Sequence, residues 1–193
     1  MEFDNRLQDR QQWSIGESCS MSKVLELLST KTAFQVVREL FFGTRRFEDF
    51  AERIATSAPA VSRALKQLEA AGIVARVPYR EPGKRVRDEY RLTEAGEDFL
   101  PVFMSLVQWG DTYLQDGPAP LSFVDAATGR AVGVCVTTDI DAPGKRSADI
   151  QIQPRDWLER RATGRTTHES GSRARSPQQR SGGALLAGDP RGA

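Results

Sequence analysis

The chain has 193 residues, 39% hydrophobic and 27% charged, with a formal net charge of +1. That length suits one ordinary domain with extensions, and so balanced a charge leaves a polyanion only a localised basic patch to bind. No apolar run approaches the ~20 residues of a membrane span, and the polar opening MEFDNRLQDRQQW lacks the features of a secretory leader. A soluble cytoplasmic protein with no membrane partner is expected. Cys19 and Cys135 make no disulfide framework, and the single histidine, His168, lies in a polar tail. Zinc sites and Ser-His-Asp triads are therefore not expected, nor is any cofactor or enzymatic activity.

Residues 1–17 alternate charged and polar side chains with too few apolar ones to anchor them, so they read as a flexible arm in which Trp13 and Ile15 either dock or stay exposed. From Cys19 to Leu28, apolar residues at helical spacing predict a short helix capped by Ser18 or Ser20. Ser29, Thr30 and Lys31 interrupt it. A second helix, capped by Thr32, runs to about Phe42 and ends at Gly43. Phe47, Phe50, Ala51 and Ile54 mark a third helix over 47–54. Ser57 then caps a fourth, with Pro59 in its first turn, Val61, Ala64, Leu65 and Leu68 on its buried edge and Gly72 as its stop. Two helices joined by a tight turn form a helix-turn-helix.

Ile73, Val74 and Val77 predict a strand, Glu81-Pro82-Gly83 a turn, and Val86–Leu92 the returning strand. Thr93 opens a long fifth helix, about 94–114. Its apolar residues, among them Phe103, Leu106, Trp109 and Tyr113, exceed what one core would bury and predict a second partner surface such as a symmetric dimer interface. Residues 115–158 carry β-rich runs at 121–125, 131–138 and 149–153, an appendage too small to stand alone. Residues 159–193 form a basic tail of low complexity. The expected fold is thus mainly α with a small β wing: an arm (1–17), a helix-turn-helix unit with its hairpin and last helix (18–114), a β appendage (115–158) and a tail (159–193).

Such a domain would meet double-stranded DNA in two ways, through phosphate contacts that position it and base contacts that specify sequence. The exposed face of the fourth helix offers Ser57, Pro59, Ala60, Ser62, Arg63, Lys66 and Gln67, with Arg63 suited to guanine and Gln67 to adenine. Arg76, Arg80, Lys84, Arg85 and Arg87 crowd the hairpin and repel one another unless a phosphate relieves them, and of these Arg80, Lys84, Arg85 and Arg87 are the DNA candidates. Arg46, before the third helix, is placed to hold a phosphate with that helix's free N–H groups. Cys19, at a helix start that favours thiolate, is a candidate redox sensor, with a small packed side chain as its alternative. Cys135 reads as a packed apolar residue.

Taken together, several motifs resemble the HxlR-type winged helix-turn-helix family. They are Cys19, Glu26-Leu27-Leu28, Lys31, Arg38-Glu39-Leu40 with Gly43 and Arg46-Phe47, then Ser57, Leu65, Leu68, Glu69, Gly72 and Ile73, and finally the run Tyr90–Gly96, Leu100-Pro101 and Trp109-Gly110. The resemblance covers about Cys19–Leu114. It implies a winged helix-turn-helix in a bacterial transcription regulator that binds DNA as a homodimer, the dimer being made by the first and last helices of the domain with Val24 and Leu28 joining the residues of the last helix, and some such regulators sense oxidants or electrophiles through a cysteine in this region. Two positions depart from the pattern: Thr32 stands where members usually carry tryptophan, and Ala64 where arginine is common. The expectation is a homodimeric repressor on a pseudo-palindromic operator, its effector unknown. The alternatives are a winged module that binds protein without DNA, and a small enzyme or carrier built on the appendage. Against the last, Asp125, Asp139, Asp141 and Asp149 are scattered as turn formers are.

Overall fold

The computed structural model describes residues 1–139 and 141–155, so the tail expected over 159–193 lies outside the described residues. The chain runs α1 (Ser20–Leu27), α2 (Lys31–Phe41), α3 (Phe47–Ile54) and α4 (Ala58–Ala70). The hairpin β1 (Val74–Tyr79) and β2 (Arg87–Leu92) follows, then α5 (Glu94–Glu97), α6 (Leu100–Tyr113), and the strands β3 (Leu121–Asp125) and β4 (Ile150–Pro154). Each pair of strands forms its own antiparallel two-stranded sheet. No helix among the described residues is long and apolar enough to cross a membrane.

One core sits where α2, α3 and α4 meet, built from Val36, Val37, Leu40, Phe50, Ile54, Val61, Ala64, Leu65 and Leu68. Residues recurring at three and four positions turn one helix face inward, which is why α3 keeps its expected bounds. Ala55 ends α3 in the left-handed region at φ +51°, and three residues carry the chain from α3 into α4. Phe50 is fully buried and meets Tyr90 of β2 edge-on at 6.2 Å, so the same ring supports helices and wing. A buried carboxylate braces the turn after α2. Glu39 accepts two hydrogen bonds from Arg38 and one from the Thr44 hydroxyl at 2.9 Å. The Arg45 carbonyl then accepts from the Tyr90 N–H at 2.8 Å, which adds a third lane to the wing.

The root of the wing is joined to α5 by a close backbone contact. Thr93 caps α5 by accepting from the Gly96 N–H at 3.1 Å, and its hydroxyl donates to the Gly72 carbonyl. A Cβ on Gly96 would lie 2.2 Å from the Ile73 carbonyl oxygen, so only glycine permits this approach.

Several expectations need correction. Thr30, read as a break, is the residue that caps α2, its side chain accepting from the Ala33 N–H, and Thr32 lies inside the helix. Neither Ser18 nor Ser20 caps α1, whose N-cap position is Cys19; Ser57 holds the N-cap position of α4 without a side-chain bond. The long fifth helix is two helices, because Pro101 has no N–H to continue the ladder across Asp98 and Phe99. The run 131–138 makes one bridge, Ala131 to Val124, and then leaves the sheet. Val134 instead exchanges both backbone hydrogen bonds with the Gln108 side-chain amide, at 3.0 and 3.1 Å. Cys135 is exposed, not packed. In the N-terminal arm the chain folds on itself: Trp13 donates to the Leu7 carbonyl at 2.9 Å and meets Phe3 edge-on, and Ile15 stays exposed.

Candidate nucleic-acid interface

Helix α4 carries two stripes. Val61, Ala64, Leu65 and Leu68 fall at intervals of three, one and three residues and are buried. Pro59, Ser62, Arg63 and Lys66 repeat the same intervals two positions earlier, about 200° round the helix, and face outward. Pro59, Arg63 and Lys66 are exposed, Ala60 and Ser62 half-buried, and Ser57 exposed at the start. Arg63 and Lys66 have no ion-pair or hydrogen-bond partner among the described residues. A helix anchored by four core residues thus presents two free cations on a rigid edge.

One residue on this helix sits otherwise than the sequence suggested, and Ala64 sits where it was expected. Gln67 does not join the outer stripe, because its amide donates to the Glu26 and Leu27 carbonyls at 3.1 and 3.0 Å and ties α4 to the end of α1. Ala64 is 3% exposed and belongs to the core, so its departure from the family pattern removes nothing from the outward face.

The wing is different. Its register runs from Val74 opposite Leu92 to Tyr79 opposite Arg87, and Gly83 takes φ +75° at the tip. The Lys84 N–H donates to the Glu81 carbonyl, and Arg80 donates to the Lys84 carbonyl at 3.2 Å. Glu81 accepts Arg46 on one carboxylate oxygen at 2.7 Å and Lys84 on the other at 2.6 Å. Lys84 first, then Arg46, hold the Glu81 carboxyl below its usual range. Arg46 also lies over the Tyr79 ring, 5.0 Å from its centre, and Tyr79 followed by Glu81 raises its pKa. Arg87 approaches Glu48 at 3.8 Å, and Arg76 is bound to Glu69. Arg85 alone among the hairpin candidates is exposed without a partner among the described residues. Sequence reasoning missed the bridging role of Glu81, although its position three residues before Lys84 in a turn is a visible signal.

Residues proposed for self-association divide. Leu28 is 4% exposed and Phe103 7%, both inside the chain's own cores; Phe103 stacks on Phe41 at 5.1 Å. Val24, Leu106, Trp109 and Tyr113 are exposed, and Val102 extends the α6 set to spacings of four, three and four. Cys19 is half-buried, and the hydroxyl and then the backbone N–H of Ser22 hold its thiol below its usual range. Among the described residues no cluster of histidine, cysteine and carboxylate side chains could hold a metal.

A three-helix core, a tight turn into an outward-facing helix and a β hairpin define a winged helix-turn-helix. A family model for HxlR-like helix-turn-helix proteins matches residues 27–118, and the chain belongs to this family. The uncharacterized HTH-type transcriptional regulator Rv3095 of Mycobacterium tuberculosis (strain H37Rv) is 39% identical over 104 residues. That alignment spans 54% of this chain and 65% of the mycobacterial protein, less than two thirds of its length. The regulator sll1512 of Synechocystis sp. is 35% identical over 101 residues, covering 52% of this chain and 73% of the relative. Among solved structures, the candidate transcription factor PA1607 shares the fold with a TM-score of 0.57 at 24% identity, over 74% of this chain and 98% of that one. A share that large exceeds what residues 18–114 alone could supply.

Proposed function

We propose that this chain is a DNA-binding transcription regulator acting as a homodimeric repressor on a pseudo-palindromic operator. The observation that carries the reading is the free Arg63–Lys66 edge of α4, held rigid by the buried stripe behind it. Arg63 reads guanine in the major groove, Lys66 and Ser57 meet phosphate, and Arg85 with the other wing cations grips the backbone or minor groove. The regulator names of the relatives support this reading.

Val102, Leu106, Trp109 and Tyr113 form the seam between copies, joined by Val24 of α1. Their four-three-four spacing is that of helices packing side by side, and so many exposed apolar groups on one helix need a cover. Cys19 serves as the thiol through which an oxidant or electrophile relieves repression, supported by its half-buried place at a helix start and its lowered pKa.

Selection of DNA fragments by the purified protein, followed by footprinting, tests the core of this reading. Two protected half-sites centred about 34–36 Å apart, or a multiple of that, are expected. A stable monomer protecting one asymmetric site would sink the dimeric model. Cys19→Ser should bind DNA normally and lose thiol sensitivity; sensitivity that persists would shift the role to exposed Cys135. One observation favours a module that binds protein instead: most wing cations are already paired. That reading wins if DNA affinity is absent at low salt.

A further inference from the structure

The acidic residue at the wing tip, Glu81, sits between two cations, Arg46 and Lys84. Arg46 comes from the N-cap position of α3 and Lys84 from the hairpin turn, and Glu81 bridges them with one carboxylate oxygen each. The Arg46 guanidinium and the backbone that carries Lys84 have supports besides Glu81's carboxylate. The Arg46 guanidinium rests on Tyr79, and the backbone of Lys84 is tied by its own N–H and by Arg80. An anion with two oxygens is therefore already bound in a two-cation clip, and its source is the chain itself. Other charges nearby are Asp49, which acts on Arg46, and the Glu48–Arg87 pair on the flank of the wing.

We propose that the Arg46–Lys84 clip is a DNA-phosphate site, and that Glu81 is a built-in competitor that masks it in the free protein. The proposal rests on the DNA-binding reading above and adds a residue that sets its strength. Exposed ion pairs contribute little to stability, so a phosphate from a polyanion can displace Glu81 at small cost. Displacement leaves the carboxylate close to the incoming phosphate, which holds the net gain low. The clip would thus keep indiscriminate backbone affinity down and leave the exposed edge of α4 to decide where the protein rests.

The test compares wild type, Glu81→Gln and Arg46→Ala/Glu81→Gln. Each is titrated with random-sequence duplex DNA over a salt series by fluorescence anisotropy, and with inorganic pyrophosphate by calorimetry. Glu81→Gln should tighten duplex binding about fivefold at low salt. It should also steepen the slope of log K against log salt by about 0.9 to 1.8, the signature of one or two more phosphates engaged. Pyrophosphate binding should rise with it, and the double variant should lose both gains. If wild type binds DNA but Glu81→Gln matches it or binds more weakly, the mask is overturned and the DNA-binding reading stands. If neither protein binds DNA and Glu81→Gln still gains pyrophosphate through Arg46, the DNA-binding reading fails and the masked anion site stands. No gain in either titration overturns the mask outright.

Discussion

Helix α4 and the wing both carry cations, but they hold them differently. Arg63 and Lys66 have no partner among the described residues and stand on a helix whose opposite stripe is sealed in the core. In and around the wing, Arg46 and Lys84 share Glu81, Arg76 is bound to Glu69, Arg87 approaches Glu48, and Arg80 caps the loop. Position explains the difference. The edge of α4 that faces away from its core meets no acid among the described residues, whereas a hairpin folded beside α3 and the end of α4 lies next to their carboxylates. The same charge therefore does two jobs: on α4 it is available for reading, and in the wing it first holds the hairpin to the body.

Removing the support shared by both regions should have the largest effect. Phe50→Ala, which empties a fully buried site beneath helices and wing, is expected to cost about 3–5 kcal/mol in urea unfolding. Sequence-selective and indiscriminate DNA binding should fall together; survival of either would show that the regions are supported separately. Arg63→Ala sharpens the contrast. It should remove about 1–3 kcal/mol of preference for the selected operator over random duplex in competition assays, with folding unchanged. Arg85→Ala should weaken all duplexes alike and lower the salt slope by about 0.9. Equal loss of operator preference in the Arg63 and Arg85 variants would erase the division between reader and wing.

The smallest effect lies outside both regions. Lys145, then the Thr128 hydroxyl, lower the Asp125 pKa from 3.8 to about 2. Because the folded value lies below the ordinary one, this contribution is fully present above about pH 4 and is lost as pH falls toward 2. Protection of the Ala126, Thr128 and Gly129 amides, taken relative to the intrinsic exchange rate at each pH, should fall over that interval, α4 should not follow, and Asp125→Asn should remove the step.

Much of the winged unit was legible because its signals are local. The stripe Phe47, Phe50, Ala51 and Ile54 placed α3, and Pro82-Gly83 placed the turn of the hairpin. The buried edge of α4 followed from spacing alone. What escaped depends on distant partners. Nothing near Gln67 shows that its amide reaches the end of α1, some forty residues earlier. A surplus of apolar residues on α6 tells that some must be covered, but not that Phe103 is covered by Phe41 and Phe42 while Trp109 stays open. The 131–138 run has strand composition, yet a glutamine side chain takes the place of a neighbouring strand. Pro101 did carry the signal for the break before α6. In the candidate site, residue types pointed to the cations, but only the fold shows which are already occupied.

The backbone contact between Gly96 and Ile73 has a mechanical consequence. It leaves no room for a side chain between the wing root and the start of α5, so any residue but glycine at position 96 must push the two apart. Helix α6 begins four residues on and contains 14 residues. At about 1.5 Å per residue it is an arm of roughly 21 Å, so a tilt of about 5° at its base carries its far end about 2 Å. Forcing the wing root and α5 apart with a side chain at position 96 would shift the base from which that arm starts.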